Sequence, residues 1–322
     1  MSQSMWHASG SNAAQIQGLA ILFGLLLGTI FLIVVGFALL SLRRRHRGIQ
    51  QEPLEGSHHP SARTEAKLRA AVGIATGITI LILFGLTIVS VSAGKIVSAS
   101  VAPVGSLVIE VTGKQWWWKV RYASDDPSRI LLTANELHIP TGRPIAIRGT
   151  SDDVIHSFWT PSLQGKRDLI PGHTTLEWLQ ADNPGEYRGQ CAEFCGLQHA
   201  HMAFWVIAES PDHFNAWLEH QLQPAVEPSD EETRRGQEIF LKSGCVLCHA
   251  IRGTDAGAQV GPDLTHFGSR KTIAAGTLSN TKGNLAGWIA DPQNIKPGTH
   301  MATVPIQSAE MQPMIDYLES LK

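Results

Sequence analysis

The sequence carries almost no net charge: 26 Lys and Arg against 28 Asp and Glu leave -2 at pH 7, with a pI near 6.7. That balance argues against a nucleic-acid-binding surface, which needs a basic face. Charge is absent altogether from residues 18–42 and from residues 70–94. Residues 1–17 lack Lys and Arg. Neither apolar run contains a histidine, which excludes a histidine-ligated centre inside these two segments. Cysteine is scarce, at four residues, and all four lie in the second half of the chain.

Each uncharged run exceeds the roughly 20 apolar residues needed to cross a bilayer as a helix. The first is longer than the roughly 7–15 residues of a signal-peptide core and is followed by the stop-transfer run "RRRHR", which points to a permanent helix. The segment 43–69 between the runs holds Arg43, Arg44, Arg45, Arg47, Arg63, Lys67 and Arg69. The positive-inside rule places it in the cytoplasm, so both termini and everything after residue 95 are expected on the outer, periplasmic side of a bacterial cell membrane.

Residues 100–210 read as short strands. "SLVIEVTGKQWWWKVRY" alternates, and "ELHIPTGRPIAIRGT" reads as a strand pair broken at Pro140–Thr141–Gly142. "HTTLEWLQ", "GEYRGQC" and "HMAFWVIAE" continue the series, predicting a β-sandwich or barrel. A helix is expected over 211–222. The Pro- and acid-rich stretch that follows predicts a linker over 223–232 and a separate domain over 233–322, with helices at both ends and a Gly-rich loop region between. The expected divisions are therefore 1–97, 98–222, 223–232 and 233–322.

An exported segment with an even number of cysteines ordinarily suggests disulfides. Here both pairs sit beside other ligand types. "CVLCH" places Cys245, Cys248 and His249 in the C-x-x-C-H arrangement of covalently bound c-type haem. A zinc site would need further ligands and this domain has no other cysteine; a redox dithiol would need a βαβ setting. Met301, in the "KPGTHM" loop, is the expected second axial ligand, with His300 as its competitor; Met311 and Met314 are expected in the core.

In "CAEFCGLQHAHM", Cys191, Cys195, His199 and Met202 combine thiolate, imidazole and thioether, a set that favours copper over zinc. A disulfide would leave His199 and Met202 unexplained. Two cysteines suffice to bridge two copper ions, with His156 in "SDDVIHSFW" supplying a second imidazole.

These residues resemble the dinuclear CuA motif of cytochrome c oxidase subunit II. "GKQWWWKVRY" and "GKRDLIPG" resemble two further stretches of that family. Residues 233–322 resemble class I cytochromes c through Gly236, Phe240, the haem motif, "GPDL", Trp288, "KPGTHM" and Tyr317. The resemblance implies a two-helix transmembrane hairpin, an all-β cupredoxin-like Greek-key domain and an all-α cytochrome c domain. It implies that Cys191 and Cys195 bridge the coppers, His156 and His199 cap one each, Met202 ligates weakly and Glu193 ligates through its carbonyl. By the same carry-over the Glu193 side chain helps hold magnesium against subunit I, Trp116 receives electrons, and the Pro262 carbonyl bonds His249. His201 matches no ligand position. The chain departs from the family pattern at Trp117, where tyrosine is usual, at His173, where arginine is usual, and at Glu65, an imperfect match to a proton-path glutamate.

The implied function is an electron-input subunit, passing electrons from haem c to CuA and on to haem in subunit I for dioxygen reduction coupled to proton translocation. Subunits I and III, an upstream cytochrome c or equivalent donor and membrane lipid are the expected partners, with no nucleic acid. The motifs also admit the input subunit of a copper-containing nitric oxide reductase, or a membrane-anchored copper-binding or assembly protein. A quinol oxidase subunit of the same fold lacks the cysteines.

Overall fold

A computed structural model describes residues 3–48, 61–97 and 102–322. The centre of the basic segment, 49–60, lies outside the described residues. The chain divides into two compact units, one comprising residues 15–98 and the other residues 99–322 together with the first 14.

In the first unit, α1 (Ser11–Gly48) and α2 (Ala62–Val97) are each long and apolar enough to cross a membrane. Their leucine, isoleucine, valine and phenylalanine side chains are exposed all round, as at Leu25, Phe31, Leu32, Leu81 and Phe84. A helix apolar on every face and not packed inside protein suits lipid rather than water. The chain is membrane-anchored.

The second unit begins with a β-sandwich. One sheet runs β3 (Leu131–Ala134), β2 (Trp117–Tyr122), β1 (Leu107–Lys114), β5 (Ile145–Ser151), β8 (Thr175–Leu179). The other runs β4 (Glu136–Pro140), β10 (Ala203–Glu209), β9 (Gly185–Cys191), β6 (His156–Trp159), β7 (Arg167–Leu169). The β1–β5 and β4–β10 pairs are parallel and the rest antiparallel. Alternation along β1, β2 and β9 sends every second residue inward. Trp118 from one sheet meets Phe158 and Phe204 from the other, with ring centroids 5.7 and 5.3 Å away, and Phe158 stacks on Phe204 at 4.2 Å. This aromatic cluster fixes the separation of the sheets beneath the 191–202 loop.

One expectation fails here. The two strands of "ELHIPTGRPIAIRGT" do not pair. β4 joins β10 and β5 joins β1, so the turn after Pro140 carries the chain between sheets. A turn signal marks where a strand ends but not which neighbour the next strand finds. A further feature went unread: residues 3–14 pack on the sandwich, where the Ser9 N–H donates to the Ser162 carbonyl at 2.7 Å and its carbonyl accepts from Asp182 N–H at 2.8 Å.

After β10, α3 (Pro211–Gln221) is capped by Ser210. The haem-motif domain contains α4 (Glu231–Lys242), a small two-stranded ribbon of β11 (Thr272–Ile273) and β12 (Leu278–Ser279), α5 (Lys282–Ala290), α6 (Pro292–Ile295) and α7 (Ser308–Ser320). α4 crosses α7 at Gly236, where a Cβ would lie 2.0 Å from the Pro313 carbonyl oxygen. The segment expected as a linker is bonded to this domain. The Arg252 guanidinium donates to the Gln221 and Leu222 carbonyls, Ala225 N–H donates to the Arg252 carbonyl, and His266 bonds the carbonyls of Gln223 and Lys322.

Candidate functional site

β9 ends at Cys191, and the loop that follows carries Glu193, Cys195, His199 and Met202 before β10 begins. β6 pairs with β9 through Phe158–Cys191, which brings His156 alongside although it lies 35 residues upstream. The Cys191 and Cys195 sulfurs are 3.7 Å apart. His156 Nδ1 lies 3.8 Å from Cys191 Sγ, and His199 Nδ1 lies 3.6 Å from Cys195 Sγ. Met202 Sδ is 3.8 Å from Cys195 Sγ, and the Glu193 carbonyl is 3.2 Å from Cys191 Sγ. All four cysteines are free thiols, not disulfides.

These spacings test the donor set. A metal about 2.3 Å from sulfur and about 2.0–2.1 Å from nitrogen, bound tetrahedrally, sets its ligand atoms roughly 3.5–3.8 Å apart. The spacings of 3.6–3.8 Å among sulfurs and imidazole nitrogens therefore match atoms that share metal ions. The loop residues fit copper.

The Cys191 thiol points the same way. The contact between the two sulfurs holds the Cys191 thiol far below its ordinary range, helped by His156 and against the effect of burial. The same contact holds Cys195 up. Burial opposes protonation of His156, but its bonds to Cys191 and Asp153 outweigh burial and raise its pKa. Asp153 Oδ1 sits 2.7 Å from His156 Nε2. That bond occupies Nε2, so Nδ1, which faces Cys191, is the nitrogen that would ligate once its proton is displaced. Gly113 lies against the other side of the ring: a Cβ there would sit 2.6 Å from His156 Cδ2. Neither Asp153 nor Gly113 was singled out from the sequence. The acid three residues before the histidine, and a glycine inside a strand, were the available signals.

The remaining predicted residues divide. Glu193's side chain is half exposed, with Lys166 Nζ 3.7 Å away. His201 bonds the Gln198 side chain at 2.8 Å. Trp116 is 7% exposed, and its indole N–H donates to the Cys195 carbonyl at 2.9 Å, beside Gln115, which donates to the same oxygen at 2.8 Å.

In the haem-motif domain, Cys245, Cys248, His249 and Met301 line one cleft. His249 Nδ1 bonds the Pro262 carbonyl at 2.7 Å, so Nε2 is the nitrogen left for a metal. Burial lowers the His249 pKa, partly countered by that bond, and so favours the neutral ring that a metal needs. Gly261 backs this ring, where a Cβ would lie 2.8 Å from Cε1. Met314 is fully buried in the core and Met311 packs against it, which leaves Met301 as the thioether on the cleft. His300 is exposed and lies 6.3 Å from the Trp116 ring. The cleft, the paired thiols and the oriented histidine fit a covalently bound haem. Gln115, Trp116 and Trp117 from the sandwich form part of the same cleft wall.

Comparison with known proteins adds the following. Residues 107–209 match the family model of the periplasmic domain of cytochrome c oxidase subunit II, and residues 233–322 match the cytochrome c model. The chain is 41% identical over 218 residues to cytochrome c oxidase subunit 2 of Alkalihalophilus pseudofirmus, covering 67% of this chain and 62% of that protein. It is 32% identical over 228 residues to cytochrome c oxidase subunit 2 of Bacillus subtilis, covering 67% and 63%. A solved structure of the periplasmic domain of subunit II of cytochrome oxidase from Bradyrhizobium japonicum is 30% identical, with a TM-score of 0.35, covering 38% of this chain and 96% of that one. The chain spans 62–63% of the length of these curated relatives.

Proposed function

Taking as premise that the chain belongs to the cytochrome c oxidase subunit II family, with a cytochrome c domain fused after the copper domain, we propose that it is the electron-input subunit of a terminal cytochrome c oxidase. The observation that carries this reading is a chain of pairwise contacts of 3.6–3.8 Å, in which the two cysteine sulfurs meet each other, each meets one imidazole nitrogen and Cys195 also meets the Met202 thioether, in the same compact unit as a C-x-x-C-H cleft. When bound, a dinuclear copper centre and haem c supply the one-electron chemistry, carrying electrons from an upstream cytochrome c or equivalent donor towards haem in subunit I, where dioxygen reduction is coupled to proton translocation.

The chain's own residues hold and insulate these groups. Cys191, Cys195, His156 and His199, the histidines through Nδ1, together with Met202 and the Glu193 carbonyl, would hold the copper. Cys245 and Cys248 would anchor the haem, and His249 and Met301 would hold its iron. A methionine–histidine pair raises the reduction potential relative to two histidines. The rigid sandwich keeps the donors in place whatever the charge on the centre. Trp116 connects the two sites, with its ring on the cleft wall and its N–H on the Cys195 carbonyl. The Glu193 carboxylate, exposed beside Lys166, serves a magnesium ion shared with subunit I. Subunit III is a further partner, and both redox domains lie on the periplasmic side of a bacterial inner membrane.

Metal and haem analysis of the purified complex, repeated on Cys191→Ser, tests the reading. The expected wild-type content is two coppers and one haem c in this chain, alongside a haem–copper partner. Cys191→Ser is expected to lose the mixed-valence copper spectrum and keep the haem band. Unchanged copper content in the variant, or a chain that purifies without a haem–copper partner, overturns it.

A further inference from the structure

The haem-motif domain touches the copper domain at defined polar contacts. Ala203 N–H donates to the Ala275 carbonyl at 2.9 Å, Lys271 N–H donates to Glu136 Oε1 at 2.8 Å, and the Gln198 amide donates to the Pro297 carbonyl at 2.7 Å. One contact stands apart. Lys296, in the loop that leads to Met301, is 2% exposed, and its Nζ donates to the Trp116 carbonyl at 2.7 Å and to the Ala274 carbonyl at 3.1 Å.

A lysine is among the least often buried residues unless paired. Among the described residues no carboxylate pairs with Lys296, and burial pushes it down to about 7. Its burial is offset instead by two carbonyls, one from each domain. An amine bonded to two acceptors satisfies both in either protonation state. The haem-motif domain alone would need only the Ala274 bond. The second bond reaches the backbone of the residue whose indole holds the Cys195 carbonyl. A single side chain thus joins the loop carrying the axial methionine to the loop carrying the bridging cysteine, through Trp116.

We propose that Lys296 is a positioning residue that docks the haem domain on the copper domain through Trp116, so that haem and copper face each other in one fixed arrangement. The proposal rests on the electron-transfer reading above. It replaces a tethered search, whose rate follows the effective concentration set by a linker, with a standing dock.

The test uses Lys296→Met in the complete, metal-loaded complex with two readouts. Hydrogen exchange at the Ala203 amide reports docking without reference to electrons. Flash-initiated transfer from haem c to copper, measured in buffers of increasing glycerol, reports its consequence. Leaving two buried carbonyls without their donor is expected to speed Ala203 exchange about tenfold or more. Transfer slows and becomes viscosity-dependent, while both metal spectra persist; a lysine that only supported its own loop would not create a viscosity dependence. If Lys296→Met disturbs the Met301–haem absorption, Lys296→Gln, one atom shorter and still a donor, gives the same readouts with a smaller change. Wild-type exchange and wild-type, viscosity-independent transfer in either intact variant overturn the proposal. If wild type passes no electron from haem to copper although a small-molecule reductant reduces both, the electron-transfer reading fails, and Ala203 exchange still decides whether Lys296 docks the domains.

Discussion

His156 in the copper domain and His249 in the haem domain are held by the same three devices and reached by opposite routes. Each has one ring nitrogen bonded to an oxygen, at 2.7 Å in both cases, from Asp153 for the first and the Pro262 carbonyl for the second. Each ring lies flat against a glycine, Gly113 or Gly261, that leaves no room for a Cβ. Each presents its other nitrogen to the site. Yet His249 follows Cys248 directly in the chain, whereas His156 reaches Cys191 only because β6 and β9 pair. The Cys245, Cys248 and His249 part of the haem site is local in sequence, with Met301 arriving from a later loop, and together they line a wide cleft. The copper site is assembled by a sheet and closes to ligand spacing by itself.

If the domains are separate in this way, the strongest blow to one should spare the other. Gly236→Val would set its Cβ 2.0 Å from the Pro313 carbonyl and 2.7 Å from Tyr317 Cβ, where α4 crosses α7. Backbone cannot yield as a side chain tip does, so a cost of about 3 kcal/mol or more to the haem domain is expected. The prediction is loss of covalent haem with copper content kept. Equal loss of both would show that the copper domain depends on its neighbour for folding.

A pH effect belongs to the sandwich alone. Glu177 on β8 is buried, accepts from the Gln164 amide at 2.7 Å through Oε2, and has no hydrogen-bond partner at Oε1. Burial pushes its carboxyl up to about 8, against the pull of Arg167. The folded state therefore binds more protons than the unfolded state between about pH 4.5 and 8. Its contribution is fully present below that window and is lost as pH rises through it. Thermal unfolding followed by the sandwich tryptophans should weaken by on the order of 3 kcal/mol from pH 5 to pH 8, and Glu177→Gln should flatten that slope. A slope unchanged in the variant would assign the pH effect elsewhere.

The parallel glycines offer the sharpest paired test. Gly113→Ala presses on His156 and Gly261→Ala presses on His249. Overpacking of this kind costs about 1–3 kcal/mol. Copper occupancy should fall in the first variant with the haem band intact. In the second the haem remains attached through its cysteines while its axial-ligand spectrum changes. Crossed outcomes would break the equivalence of the two histidines.

What was legible in the sequence follows the same division. C-x-x-C-H and the 191–202 loop are short, and ligand spacing within a loop survives folding. The membrane helices were legible because uncharged length alone decides them. β4 and β5 were read as partners because the turn between them is local, while their true neighbours, β10 and β1, are set by packing. α5 was read as loop because Gly283 and Gly287 dilute its helical character; Thr281 caps it, and Leu285 and Ile289, four apart, bury one face. Gly113 and Lys296 act on residues distant in sequence, through contacts that no spacing encodes, and Asp153, three residues before His156, leaves only the weak signal of a nearby acid.

Asp153 gives the smallest expected effect and the finest discrimination between the two sites. Its Oδ1 bonds His156 Nε2, and its Oδ2 accepts from Gln115 N–H at 2.6 Å, at the start of the Trp116 hairpin. Asparagine keeps one carbonyl oxygen but offers an N–H₂ group that cannot accept from the other donor. Either the imidazole or the hairpin must lose its partner. Losses of this kind outside the ligand set typically reduce metal affinity about 10–100-fold, and the retained oxygen puts Asp153→Asn near the lower bound. Competition for copper against a chelator of known affinity, followed by the copper absorption, measures it. The Pro262 carbonyl that does the same service for His249 is backbone and carries no charge, so the haem site has no counterpart to this substitution. An affinity equal to wild type would mean that the sandwich holds His156 by packing against Gly113 and Trp118 alone, without the hydrogen bond.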